Sequence, residues 1–118
     1  MGVYAVTGSA SGIGAGIVKK LQSLGYQVIG VDLRDADINV DLGSAEGRQA
    51  AIEGIVKAAP EGLDGFVPCA GVGPQTKPIT VVPKINFFGT VRLIEGLKDS
   101  LAKKRGASVL ISSNSARL

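Results

Sequence analysis

Hydrophobic and polar positions along this chain predict short buried strands that are separated mostly by amphipathic helices. Val3–Val6 and Val28–Val31 are continuous apolar runs, and Gly65–Cys69 is mostly apolar. Such runs are typical of parallel strands that are covered on both faces. Ile38–Val40 and Ser108–Ile111 predict two further short strands.

The longer segments carry apolar residues at helical spacing. Ile13, Ile17, Leu21 and Leu24 recur at intervals of four, four and three residues, which predicts one apolar helix face. Ser44 is placed to cap a second helix. A third helix is predicted from about Lys84 to Lys104, and its apolar surface is broader than one sheet contact requires. We expect a second sheet face or a partner subunit to cover that surface. Its apolar residues are Phe87, Phe88, Val91, Leu93, Ile94, Leu97 and Leu101.

Five strands in this arrangement predict an α/β fold, a doubly wound, Rossmann-like parallel sheet. Parallel neighbours need right-handed crossovers, and the expected strand order is 3-2-1-4-5. A ligand then belongs at the carboxyl ends of strands 1 and 4, where the winding reverses. We expect the fourth strand to end or distort near Pro68, which lacks a backbone donor. Residues 1–118 are predicted to form a single domain.

Composition narrows the possible classes of protein. The chain has 118 residues, a net charge of +3, one cysteine and no histidine. Without histidine, a Ser-His-Asp triad and a histidine metal site are excluded, and no metal site is predicted. The basic residues Lys98 and Lys103–Arg105 have no interleaved aromatics, which favours a solvated helix end over a nucleic-acid surface. No apolar run is long enough to span a membrane, and the single cysteine suits a reducing compartment. We therefore predict a cytoplasmic protein that binds neither nucleic acid nor membrane.

The segment Thr7–Gly14 joins the first strand to the first helix and contains Gly8, Gly12 and Gly14. Glycines allow close backbone approach, and a helix start offers unpaired N–H groups, so this loop can hold a phosphate. The alternative is a tight turn that binds nothing. Asp32 ends the second strand at the spacing of a ribose-binding carboxylate, which favours phosphate binding and predicts NAD(H) over NADP(H). Arg34 weakens that preference, because a guanidinium can bind a 2′-phosphate.

Other strand ends add candidate ligand contacts, each with a structural alternative. Asp32 itself can be a capping or loop carboxylate. Asp41, with Leu42, can meet an adenine ring or serve as an ordinary turn residue. The small residues of Cys69–Gly71 permit close approach to a ligand. Cys69 has no histidine as a base, so a buried structural thiol is favoured over a nucleophile.

Taken in order, these motifs resemble the short-chain dehydrogenase/reductase family. The resemblance also rests on Asn86 within Ile85–Gly89 and on Leu110–Ser113. More narrowly, Asp32–Ala36, Ser44–Arg48 and Cys69–Lys77 are similar to a bacterial subgroup that acts on hydroxysteroids and carbonyl compounds. Cys69 departs from the family, which usually has asparagine at that position. The cofactor contacts that the resemblance implies are Thr7, Gly8, Ser11, Gly12, Ile13, Gly14, Asp32, Leu33, Asp41, Leu42, Cys69, Ala70 and Gly71.

The resemblance implies hydride transfer between a nicotinamide cofactor and a secondary alcohol or carbonyl. Asn86 matches a residue that supports a proton-relay water, although a buried amide that satisfies backbone groups is an equal alternative. Ser113 matches the serine that orients the substrate oxygen, and Ser112 takes its place if the register slips by one residue.

The family's catalytic tyrosine, followed four residues later by lysine, comes downstream of that serine. This chain ends at Leu118, and its two tyrosines, Tyr4 and Tyr26, lack such a lysine. We therefore expect a sheet incomplete on its C-terminal side and a chain that binds cofactor without catalysis. The complete enzyme is expected to be a homo-oligomer. A non-catalytic module that binds a dinucleotide or a partner chain remains the alternative.

Overall fold

A parallel five-stranded sheet in the order β3-β2-β1-β4-β5 forms the centre of the molecule. The computed structural model describes residues 2–71 and 80–110. The predicted fold class and strand order are confirmed. The strands are β1 (Val3–Thr7), β2 (Gln27–Asp32), β3 (Ile38–Asn39), β4 (Gly65–Pro68) and β5 (Ala107–Ser108).

Helices cover both faces of the sheet. They are α1 (Gly12–Ser23), α2 (Ala45–Ala58), α3 (Val81–Pro83), a π-helical turn (Lys84–Phe88) and α4 (Gly89–Lys103). The predicted third helix therefore starts earlier than Lys84 and contains a π-helical turn, which the apolar spacing did not indicate. None of the helices in the described ranges is long and apolar enough to cross a membrane.

The main core lies between the sheet and the pair α2 and α4. Phe66 of β4, Ile55 of α2 and both Leu93 and Leu97 of α4 are fully buried there. The crossover from β1 to β2 runs along the sheet in the opposite direction to the crossovers that contain α2 and α4. Because right-handed crossovers in opposite directions lie on opposite faces, α1 covers the other face of the sheet. Residues on alternate sides of each strand therefore serve two different helix layers.

Only the middle of the apolar face predicted for α1 is shielded from solvent. Ile17 and Leu21 are partly buried, whereas Ile13 and Leu24 at the two ends are 65 % and 59 % exposed. Gly14 is the only buried residue of the helix. The middle of α1 packs on the sheet, and its first turn is held by close approach to the preceding loop.

Pro68 ends β4, as expected, and the hydrogen bonds show why it is tolerated. Cys69 N donates to Thr7 O of β1 at 3.1 Å, and Phe66 O accepts from Val109 N on the β5 side at 3.1 Å. Because bonding directions alternate along a parallel strand, the donor missing at Pro68 faces β5 rather than β1. The pairing of β4 with the central strand β1 stays intact.

The connection from β2 to β3 contains no helix. It consists of residues 33–37, and β3 pairs only with the end of β2, through Val31↔Ile38 and Asp32↔Asn39. Gly30 lies one residue before this pairing, and its N–H donates instead to Asp37 Oδ2 at 2.7 Å. The Asp37 side chain thus replaces the backbone carbonyl that β3 would supply to Gly30 if β3 were longer.

Several exposed apolar residues lie in the C-terminal part of the described chain. Phe87 and Phe88 form an edge-to-face pair with ring centroids 5.1 Å apart, and both are exposed. The strand predicted over Ser108–Ile111 starts earlier and is shorter, and Val109 and Leu110 are exposed. Ile111 lies outside the described residues. Coverage of the helix surface by a partner or a second sheet face stays a prediction.

Candidate functional site

One cleft at the carboxyl edge of the sheet brings together the strand ends singled out in the sequence. Its volume is about 320 Å³. Every predicted cofactor residue lines it except Thr7, which lies just behind the wall. The cleft is lined by Gly8, Ser11, Gly12, Ile13, Gly14, Asp32, Leu33, Val40, Asp41, Leu42, Cys69, Ala70, Gly71 and Ile85.

The segment Thr7–Gly14, here called the glycine loop, is packed too tightly for side chains at two of its glycines. A Cβ on Gly8, which has φ +69°, would lie 2.8 Å from Ala70 N. A Cβ on Gly14 would overlap the carbonyl oxygen of Gly8. Gly12 differs, because its φ of +58° favours glycine while nothing lies within 4 Å of the Cβ position. The loop is therefore closed against the protein and open towards the cleft.

The N-terminus of α1 has no side-chain cap. Ser11 holds the N-cap position, but its side chain makes no capping hydrogen bond, and the first turn has no acidic residue. In α2, by contrast, Ser44 Oγ accepts from Gly47 N at 2.9 Å and the first turn contains Glu46. The first amides of α1 thus face the cleft at the positive end of the helix dipole. No side chain caps them, and no acidic residue of the first turn offsets that positive end.

This contrast predicts different stability effects for two serine substitutions at equivalent helix positions. We expect Ser44→Ala to lower the free energy of unfolding by about 1 kcal/mol, because the capping bond to Gly47 N is lost. Ser11→Ala is expected to cost only a few tenths of that value, because no cap bond exists to lose. Urea denaturation of both variants measures the difference. Equal losses would contradict the uncapped state of α1.

Asp32 lies at the end of β2 with both carboxylate oxygens oriented by backbone amides. Ala10 N donates to Oδ2 at 3.0 Å, and Leu33 N donates to Oδ1 at 2.7 Å. A carboxylate can accept about four hydrogen bonds, so both oxygens keep capacity for further donors. The bond from Ala10 also connects the glycine loop to the Asp32 carboxylate, which sets the spacing between these two parts of the cleft.

Asp41 forms a turn and also lines the cleft. Its Oδ1 accepts from Gly43 N at 2.8 Å, and its carbonyl oxygen accepts from Ser44 N and from Ser44 Oγ. These bonds form the turn that starts α2, while the residue also lines the cleft. Leu42 beside it is buried in the main core and contributes an apolar wall. The structure leaves the adenine contact a prediction.

The end of β4 is bound to the end of β1 through Thr7. Thr7 is buried, its carbonyl accepts from Cys69 N, and its Oγ1 accepts from Ala70 N at 3.1 Å. Burial raises the pKa of the Cys69 thiol above its usual value. A raised thiol pKa lowers the thiolate fraction, so the environment of Cys69 disfavours a nucleophilic role.

Asn86 lies in the π-helical turn, close to the end of β4. A Cβ placed on Gly71 would be 3.2 Å from Asn86 Oδ1, so a side chain there would require the Asn86 amide to shift by a few tenths of an ångström. A π-helical turn is common at functional sites. The other predicted catalytic position, Ser113 with its alternative Ser112, lies outside the described residues. Asn86 is therefore the only predicted catalytic residue whose surroundings can be described.

Val40 and Ile85 also line the cleft, although neither is among the predicted site residues. Val40 is the last residue of the third predicted strand and Ile85 precedes Asn86, so their proximity to the site could be inferred from the sequence but their orientation could not. Arg48 was also missed as a structural link. Its Nη1 donates to Leu42 O at 3.0 Å and lies 3.5 Å from Lys84 O, so it connects two walls of the cleft.

Comparison with known proteins gives a consistent result. The sequence model described as short chain dehydrogenase matches residues 2–118. A 3-alpha-hydroxysteroid dehydrogenase/carbonyl reductase from Comamonas testosteroni is 42 % identical over 114 residues, which cover 96 % of this chain and 44 % of that protein.

Solved structures agree with that match. The 3-alpha-hydroxysteroid dehydrogenase from Pseudomonas sp. B-0831, complexed with NADH, superposes with a TM-score of 0.94 at 40 % identity and covers 97 % of this chain and 45 % of its own. A metagenomic short-chain oxidoreductase in complex with NADP gives a TM-score of 0.83 at 26 % identity, over 99 % of this chain and 64 % of its own. The chain thus spans less than half the length of the two hydroxysteroid dehydrogenases.

Proposed function

The chain belongs to the short-chain dehydrogenase family, and on that premise we propose that its cleft binds NAD(H) for hydride exchange with a secondary alcohol or carbonyl compound. One observation carries the proposal. The uncapped first turn of α1 and the carboxylate of Asp32 line the same cleft, joined by the bond from Ala10 N to Asp32 Oδ2. A dinucleotide carries a pyrophosphate and a ribose diol at a fixed separation, which matches an anion site beside a carboxylate acceptor.

The residues present fit such a cofactor. Gly12 leaves open space where a side chain would fill the cradle, and the first amides of α1 can donate to phosphate oxygens. Asp32 can accept from the two ribose hydroxyls, and Leu42 offers an apolar wall for the adenine ring. Ala70 and Gly71 can lie along the nicotinamide end, because they expose backbone without large side chains.

The preference for NAD(H) over NADP(H) is the finer part of the proposal. The carboxylate of Asp32 would repel a 2′-phosphate, and the Pseudomonas relative was crystallised with NADH. Arg34 lies two residues further on and is exposed, and a more distant relative binds NADP. We expect a preference set mainly by Asp32, whose oxygens are held in place, rather than by the solvated Arg34.

When bound, the nicotinamide supplies the hydride donor or acceptor. Asn86, beside Gly71, is proposed to orient a relay water, and Ser113 to hold the substrate oxygen. Neither tyrosine of this chain lines the cleft: Tyr4 and Tyr26 pack against each other, with ring centroids 4.9 Å apart, near the amino ends of β1 and β2. We therefore propose that this chain binds cofactor and that proton transfer needs further groups. The similarity to hydroxysteroid dehydrogenases suggests a 3α-hydroxysteroid as substrate.

Titration with NADH tests the proposal directly. We expect saturable enhancement of nicotinamide fluorescence and a thermal stabilisation that grows with NADH concentration, about 2.7 kcal/mol at one hundred times Kd. With a 3α-hydroxysteroid and NAD⁺ we expect the cofactor to bind without being reduced, because proton transfer needs further groups, and reduction of NAD⁺ would contradict that part of the proposal. The absence of both fluorescence change and stabilisation would overturn the proposal.

A further inference from the structure

The residues that connect β2 to β3 include a hydrogen-bond acceptor, Asp37, that is not among the predicted site residues. Gly30 is buried within β2, and a buried N–H needs a hydrogen-bond partner. Pairing with β3 begins only at Val31, so no β3 carbonyl is available to Gly30. The Asp37 carboxylate accepts this N–H at 2.7 Å instead. Asp37 therefore terminates the β2 hydrogen-bonding pattern on its outer side.

The same stretch of β2 supports both halves of the proposed cofactor site. Gly8 N donates to Val31 O at 2.8 Å, and Ala10 N donates to Asp32 Oδ2. The Ser9 hydroxyl lies against Gly30, 2.6 Å from the position of a Cβ there. A displacement of β2 at Gly30 would therefore move the glycine loop and the ribose carboxylate.

The position of the Asp37 carboxylate is set by its own loop. Ala36 N donates to Asn39 Oδ1 and Asn39 Nδ2 donates to Ala36 O, both at 3.2 Å. These reciprocal bonds join Ala36 to Asn39 and so hold the backbone on both sides of Asp37. A charged acceptor also forms a stronger bond to a backbone amide than a neutral acceptor does.

From this arrangement we infer that Asp37 is a positioning residue, which holds the carboxylate of Asp32 and the glycine loop in the geometry that binds the adenosine ribose. The inference rests on the proposed function. Asp37 does not line the cleft and touches no cofactor atom in this scheme. It acts on binding only through β2, which makes its effect dependent on Asp32.

A double-mutant cycle tests that dependence. We expect Asp37→Ala to raise the Kd for NADH about tenfold, within the range of coupling between residues of one network. In the Asp32→Ala background the same substitution should raise the Kd by no more than about threefold, because the carboxylate that Asp37 positions is gone and only the support of the glycine loop through Gly8 N and Val31 O remains. Asp37→Asn, whose amide oxygen can still accept from Gly30 N, should restore most of the affinity. Asp99→Ala is the matched control. It removes an exposed carboxylate from α4 instead of from the β2–β3 connection, and it should leave the Kd unchanged.

The outcomes separate this inference from the proposed function. If the unsubstituted protein binds NADH but Asp37→Ala has the same effect with and without Asp32, the positioning role is wrong and the proposed function stands. If the unsubstituted protein does not bind NADH, both are wrong. Amide hydrogen exchange of Gly30 gives a measurement that needs no variant. Slow exchange is expected, and exchange as fast as in an exposed loop would overturn the inference.

Discussion

Gly14→Ala is expected to abolish measurable NADH binding and to lower the free energy of unfolding by about 2 to 3 kcal/mol. The added Cβ would overlap the carbonyl oxygen of Gly8, which is backbone and cannot rotate away. Gly8 in turn lies against the backbone of Cys69 and Ala70, so the loop has no space into which to retreat. The loop must then lift from β1, and the amides of α1 lose their position in the cleft. Isothermal titration with NADH and urea denaturation measure the two effects.

Gly16→Ala is the matched control for that experiment. Gly16 lies in the same helix, and nothing lies within 4 Å of its Cβ position. Alanine there should raise the free energy of unfolding by about 0.5 to 1 kcal/mol, because it lowers the conformational entropy of the unfolded chain. NADH affinity should not change. Normal binding by Gly14→Ala would contradict the close packing of the loop.

Asp32→Ala is expected to weaken NADH binding about 30- to 100-fold, the effect of losing charge-assisted hydrogen bonds to the ribose hydroxyls. Removal of the carboxylate also removes its repulsion of a 2′-phosphate, so NADPH should bind better than it does to the unsubstituted protein. Titration of both cofactors against both proteins gives the change in preference.

The NADPH titration also controls for damage to the glycine loop. Asp32 accepts from Ala10 N, so the substitution can loosen the loop as well as remove ribose contacts. A loosened loop would weaken both cofactors equally, because both carry the same pyrophosphate. A fall in NADH affinity with a matching fall in NADPH affinity would therefore contradict a specific role for Asp32.

The sequence was sufficient to predict the sheet because its strands are continuous apolar runs between helical segments of clear spacing. The order of strands follows from general rules on crossovers, and the structure confirms it. The predicted cofactor residues lie together for a related reason. They sit at strand ends, and the carboxyl ends of adjacent parallel strands meet at one edge.

Three features of the structure were not predicted from the sequence, because each depends on how the helices pack. The π-helical turn around Asn86 keeps the same apolar residues as an α-helix would, so its spacing carries no signal. Arg48 reaches the carbonyl of Lys84, and this contact follows from the packing of α2 beside that turn. The exposure of Ile13 and Leu24 could not be predicted either, since apolar spacing identifies a helix face but not how much of that face is covered.

The uncapped start of α1 has a consequence for adaptation of this protein to heat. Helix caps are among the easiest stabilising changes, and most helices can acquire one without loss of function. Here a side chain that capped the first amides would occupy the donors that the proposed pyrophosphate needs. Selection for thermal stability and selection for cofactor affinity therefore oppose each other in that turn. Mutational gains in stability should accumulate elsewhere in α1, at positions such as Gly16, and leave Ser11–Gly14 unchanged.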